Sequence, residues 1–166
     1  MRKRKSPTCF VLDENKVYRE IIPSCLDTTI PGSLIKTFSS PEEMLPELEL
    51  KPDLLVSEYE FSGNSYNGKI LLDLIHEKSP HTSVIFITAN HSIQTAVKVI
   101  RSGALDYIPK STSVFDALIR KLIVFRENMD FIHRSDQQIK RLYILLVIIL
   151  MILTGSIFYY NYIQSM

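Results

Sequence analysis

Between Pro52-Asp53 and Gly63-Asn64 the chain carries a continuous apolar run, Leu54-Leu55-Val56, that passes through Ser57 into the carboxylate of Glu58. A short run without polar alternation, bounded by turn-forming residues, fits a strand buried on both faces of a parallel sheet. In an open α/β sheet the loops at the carboxyl ends of the strands form a crevice, and functional groups collect there. Glu58 stands at such an end, so the rest of the chain is read as the scaffold around it.

The flanking sequence alternates strands with helices. Thr8 to Leu12 reads as a first strand leading into Asp13-Glu14, and Asn15 caps a helix that carries Val17, Ile21, Ile22 and Cys25 or Leu26 at helical spacing. After the Pro31-Gly32 turn, Leu34 to Phe38 is a second strand, and Ser40-Pro41-Glu42-Glu43 opens a short helix reaching Leu48. Gly68 to Glu77 is a helix with Ile70, Leu71, Leu74 and Ile75 facing inward, and Ser83 to Thr88 is a fourth strand ending in a hydroxyl. Ser92 caps a helix through Ile93, Ala96, Val97 and Ile100 that closes near Ser102-Gly103. Ala104 to Ile108 is a fifth strand ending at Pro109-Lys110, and Ser113 caps a last long helix. Five strands alternating with five helices predict a right-handed parallel α/β sandwich. Strands two, three and four are expected to be buried. Asp13, Glu14, Glu58, Thr88 and Lys110 should meet at one crevice.

The last quarter of the chain is different. From Leu142 to Ile163 there is no charged side chain. At about 1.5 Å per helical residue that length crosses a hydrocarbon core of roughly 30 Å. Tyr143, Tyr159, Tyr160 and Tyr162 lie near the two ends, where amphipathic rings favour the interfaces. Residues 142–163 are therefore expected to form a single C-terminal membrane anchor, followed by the tail 164–166. Lys140 and Arg141 precede the run, and no charged side chain follows it, which places the preceding domain on the cytoplasmic side. Leu118, Leu122, Phe125, Met129, Ile132, Asp136, Ile139, Tyr143 and Leu146 follow a 4-3 alternation. That stripe either pairs two copies of the helix as a homodimer or covers the sheet at its start and continues as a linker over 126–141.

Formal net charge is +1 over 166 residues, which argues against a nucleic-acid partner. Arg2-Lys3-Arg4-Lys5 make residues 1–7 a basic end, expected to be disordered, and no apolar h-region of a signal peptide follows them. Cys9 and Cys25 are too few for a disulfide framework, and Cys9 in its apolar run is expected to be a buried, reduced thiol. His76, His81, His91 and His133 are scattered and suggest no shared site.

Three carboxylates converging on one crevice repel one another, and a hard divalent cation such as Mg²⁺ is the usual remedy. A strand-end hydroxyl and an opposing Lys suit the oxygens of a phosphoryl group on the central acid. Taken together, Val11-Leu12-Asp13-Glu14, Pro52-Asp53-Leu54-Leu55-Val56-Ser57-Glu58, Asn67-Gly68, Val84-Ile85-Phe86-Ile87-Thr88-Ala89 and Gly103-Ala104-Leu105-Asp106-Tyr107-Ile108-Pro109-Lys110 resemble a receiver domain of two-component response regulators. The resemblance covers residues 8–125 and implies a flavodoxin-like (βα)5 fold. It makes Asp13 and Glu14 the metal-binding acids, with Glu58 and the backbone of Glu60 completing a weak Mg²⁺ site. Thr88 and Lys110 become the phosphoryl contacts and Tyr107 the switch aromatic.

The departures are informative. Glu58 stands where the family has its phosphoacceptor Asp, the loop before Gly68 carries two extra residues with Ser62 in place of the usual Pro, and Ser111 follows Lys110. The longer acid carries permanent charge toward Thr88 and Lys110. The expectation is a membrane-tethered pseudo-receiver of a phosphorelay. It is not an enzyme, and it acts through protein partners such as a histidine kinase. One alternative is a tethered adaptor with a vestigial pocket. Another, a phosphotransfer enzyme of the haloacid-dehalogenase type, needs a second acid two residues after the first, and Asn15 stands there.

Overall fold

Apolar runs at Thr8–Leu12 (β1), Leu34–Phe38 (β2), Leu54–Glu58 (β3), Ser83–Thr88 (β4) and Asp106–Pro109 (β5) pair in parallel as one sheet, in the order β2-β1-β3-β4-β5. The crossovers are Lys16–Thr29 (α1), Pro41–Met44 (α2), Gly68–Lys78 (α3) and Ile93–Arg101 (α4), and Val114–Gln164 (α5) follows β5. This is the flavodoxin-like receiver fold, followed by a long C-terminal helix. The computed structural model describes residues 6–62 and 65–165, so Arg2 to Lys5, Gly63 and Asn64 lie outside the described residues, as do the side chains of His133 and Asp136.

β1, β3 and β4 are buried throughout except for Thr8 and Ser83 at their starts. Phe10, Leu12, Leu55, Leu71, Leu72, Ile75, Val84 and Phe86 form the core between sheet and helices. Each such side chain contributes about 1.5–3 kcal/mol by leaving water. Pairing of Leu12 with Ser57, Glu58 with Ile87 and Thr88 with Pro109 keeps the carboxyl ends level. That register lays Asp13, Glu58, Thr88 and Lys110 along one edge of the sheet.

Several expectations need correction. β2 is an edge strand with Leu34 exposed, because only β1 pairs with it. The second helix ends at Met44 and tightens into a 3-10 turn over Leu45–Leu50, since Pro46 removes an N–H that an α-helix needs. β5 starts at Asp106, after Gly103 turns the chain at φ +101. In α1, Ile22, Leu26 and Thr29 face inward while Val17 and Ile21 are exposed. In α3, Leu72 rather than Ile70 joins Leu71 and Ile75 in the core. In α4, Val99 packs inward with Ala96, leaving Ile93, Val97 and Ile100 as an outward row.

The caps at Asn15, Ser40 and Ser92 follow the sequence reading. Asn15 accepts from the Val17 N–H, Ser40 from Glu43 and Ser92 from Thr95. Asn67 caps α3 by accepting from Lys69 and Ile70.

The chain divides into two units, one up to Val124 and one from Phe125 onward. In the first, Leu118 and Leu122 are buried. In the second, Ile132, Ile139, Tyr143 and Leu146 are exposed, and Gln138–Gln164 is long and apolar enough to cross a membrane by length and composition. There the Thr154 and Ser156 hydroxyls donate to the carbonyls of Leu150 (3.0 Å) and Ile152 (2.8 Å), which satisfies them within the helix.

Candidate functional site

The site begins where β1 ends. Asp13 is buried, and its Oδ1 accepts the Asn15 N–H at 2.8 Å. The Arg19 guanidinium donates to the carbonyls of Asp13 (2.6 Å) and Glu14 (2.8 Å), fixing this corner from α1. Glu58 is buried at the end of β3, with Oε1 accepting the Tyr59 N–H at 3.0 Å.

Lys110 connects the two acids. Its backbone N–H donates to the Thr88 carbonyl at 2.6 Å, which holds the end of β5 beside β4. Its ammonium contacts Glu58 Oε2 and lies 3.1 Å from Asp13 Oδ2. The Asp13 contact is an ion pair without hydrogen-bond alignment. The ammonium also sits 4.1 Å from the centre of the Tyr18 ring, which packs on Phe115 at 5.7 Å. Burial works against the charged lysine, but the hydrogen bond to Glu58 and the charge of Asp13 outweigh it and hold the pKa above the ordinary value.

The remaining predicted residues take other partners. Glu14 turns outward, and its carboxylate accepts the Ser62 N–H at 2.9 Å and the Ser62 hydroxyl at 2.6 Å. Thr88 is buried, with Oγ1 accepting the Asn90 N–H at 3.1 Å. Tyr107 is buried too, and its hydroxyl donates to the Asn90 carbonyl at 3.1 Å. Burial pushes the Tyr107 phenol up, opposed by a hydrogen bond with Thr88. Asn90 also donates to Glu60 Oε1 at 2.7 Å and accepts the Ser92 N–H at 2.8 Å. The Tyr59 ring stacks edge-on against Phe86 and Tyr107, both at 5.4 Å, and covers Gly68 so closely that any Cβ there would overlap it.

The structure therefore brings Asp13, Glu58 and Lys110 together and places Thr88, Tyr107 and Glu60 around Asn90. Asn90, Tyr18 and Arg19 were missed by sequence reasoning. The one available signal was Asn90-His91-Ser92 two residues after the strand-end Thr88, a pattern that favours a side-chain turn. Receiver domains typically bind Mg²⁺ at the phosphorylation site. Here the residues as placed do not fit it: Glu14 is engaged by Ser62, Lys110 lies between Asp13 and Glu58, and no group of three metal-ligating side chains gathers among the described residues.

Residues 9–122 match the response regulator receiver domain family. The chain belongs to that family. Over 110 residues it is 32% identical to the DNA-binding transcriptional regulator NtrC of Klebsiella pneumoniae, covering 66% of this chain and 23% of that protein. Over 60 residues it is 35% identical to the nitrogen assimilation regulatory protein NtrX of Azorhizobium caulinodans, covering 36% of this chain and 13% of the relative. The chain thus spans less than a quarter of the length of these relatives. In fold, the receiver domain is similar to the signal receiver domain of a putative Luxo repressor protein from Vibrio parahaemolyticus, with TM-score 0.68 and 20% identity over 78% of this chain and 97% of that one. It is also similar to the receiver domain of the Francisella response regulator 1452, with TM-score 0.61 and 22% identity over 74% and 99% of the two chains. In this receiver domain the strand-end acid of β3 is Glu58, and Lys110 already pairs with it.

Proposed function

We propose that this receiver domain is a pseudo-receiver of two-component signalling, anchored in the membrane through residues 142–163 and acting by contact with protein partners, a histidine kinase among them, rather than by turnover. The observation that carries the reading is the fixing of Glu58: its two oxygens are taken by the Tyr59 N–H and the Lys110 ammonium. Glu58 is one methylene longer than Asp, and its negative charge lies where a phosphoryl group on a shorter acid would extend. Tyr107 and Thr88 are both held by Asn90, so the β4–α4 segment has a defined arrangement without any modification.

The exposed row Ile132, Ile139, Tyr143 and Leu146 supports pairing of two copies through the C-terminal helix. Lys140 and Arg141 before the apolar run support a cytoplasmic receiver domain. A second reading, a tethered adaptor with a vestigial pocket, is favoured by the diversion of Glu14 to Ser62.

The test uses the full chain in detergent micelles, with amide spectra recorded before and after Mg²⁺ and beryllium fluoride. The wild type should show no shift at Thr88 to Ser92 or at Tyr107, whereas Glu58→Asp should respond. A wild-type response at those positions would mean that the ordinary switch survives.

A further inference from the structure

We infer that the Lys110 ammonium is the resident cation of the acidic crevice, so that this receiver domain is electrostatically closed without a divalent ion. Three arrangements lead there.

The first is occupancy. Asp13 and Glu58 both direct an oxygen at Nζ, the one at 3.1 Å and the other in direct contact. Mg²⁺ demands near-octahedral oxygen ligands at about 2.0–2.1 Å. It would have to enter between these carboxylates while a like-charged ammonium stays against them, or else expel the lysine.

The second is retention. Lys110 is pinned at its backbone by the Thr88 carbonyl at 2.6 Å and at its head by the Tyr18 ring at 4.1 Å, a ring that itself packs on Phe115. Only 17% of the Lys110 side chain is exposed, so expelling it means breaking two ion pairs and a cation–ring contact together.

The third is the missing ligand. Glu14 would have to give up both hydrogen bonds from Ser62 before its carboxylate could turn inward. A site with one diverted acid and one internal cation differs from an empty acidic site waiting for a metal. The inference concerns the same pocket as the proposed pseudo-receiver function, but it fails separately, because metal uptake and phosphoryl transfer are read by different measurements.

The experiment titrates Mn²⁺ into the full chain in nanodiscs of zwitterionic lipid and follows the free ion by electron paramagnetic resonance. Thermal unfolding curves of every variant confirm folding. Wild type and Lys110→Arg should show no saturable site tighter than about 10 mM, whereas Lys110→Met should gain a site at least about tenfold tighter that disappears when Asp13→Asn is added. Lys110→Gln replaces the Met variant if that one fails to fold. A wild-type Mn²⁺ site abolished by Asp13→Asn overturns the inference. So does a folded Lys110→Met or Lys110→Gln variant that binds no more metal than the wild type.

Discussion

The hydroxyl of Tyr107 donates to the carbonyl of Asn90 at 3.1 Å, and the N–H of the same asparagine donates to Thr88 Oγ1 at 3.1 Å. One residue thus ties the ends of β4 and β5 to each other. Through Glu60 and Ser92 it also ties them to the loop after β3 and to the start of α4. Buried, satisfied hydrogen bonds of this kind contribute about 0.5–1.5 kcal/mol each.

Tyr107→Phe should therefore destabilise the receiver domain by about 1 kcal/mol, and Asn90→Ala, which keeps the main-chain bonds to Tyr107 and Thr88 and removes only the side-chain bonds to Glu60 and Ser92, by about 0.5–1 kcal/mol. In both variants amide hydrogen exchange should accelerate at residues 89–92 while β1 and β3 stay protected. Unchanged exchange in that segment of Tyr107→Phe would show that the Tyr107–Asn90 bond does not hold it.

Alkaline pH tests the Lys110 ion pairs. The folded state holds the Lys110 proton more tightly than the unfolded chain, so the stabilisation is complete below the ordinary lysine pKa of 10.5 and is lost as pH climbs through the raised value. Cys9 acts with the same sign: burial pushes its thiol from 9.0 up to about 12, and stability falls across that interval. Chemical denaturation between pH 8 and 12 should show a falling stability whose upper portion is missing in Lys110→Met. Equal slopes for wild type and variant would contradict the ion-pair assignment.

The two cysteines should react in a fixed order. Cys25 is half-buried on α1, while Cys9 lies fully buried in β1 with its thiol held neutral. Only the thiolate is nucleophilic, so iodoacetamide at pH 8 should modify Cys25 first and reach Cys9 only on unfolding. Mass spectrometry of the labelled peptides reads the order directly.

The proposed membrane anchor predicts a physical partition. The full chain should pellet with membranes and resist carbonate extraction, and a fragment ending at Arg141 should remain in the supernatant. Protease added outside intact cells or spheroplasts should leave residues 1–141 uncut. Cleavage there would reverse the orientation inferred from Lys140 and Arg141.

Strand positions were legible because the apolar runs at 8–12, 34–38 and 83–88 are bounded by turns and need no tertiary information. Helix faces were less so. In α4 the outward row Ile93, Val97 and Ile100 is as apolar as the inward pair Ala96 and Val99, so periodicity alone does not tell the two sides apart. Asp13, Glu58 and Lys110 could be gathered from the rule that functional groups sit at strand ends. The diversion of Glu14 to Ser62, the Tyr18 ring over Lys110 and the hub at Asn90 depend on how loops and α1 fold over that edge. No spacing in the sequence encodes those contacts.

The central claim is that Glu58 replaces the phosphoacceptor and keeps the pocket in one state. Intact-mass analysis of the full chain incubated with Mg²⁺ and a small phosphodonor tests it most directly. The account predicts no added phosphoryl mass on the wild type, with Glu58→Asp the variant in which modification could return. A Mg²⁺-dependent phosphoryl adduct on the wild type that disappears in Glu58→Gln would contradict it.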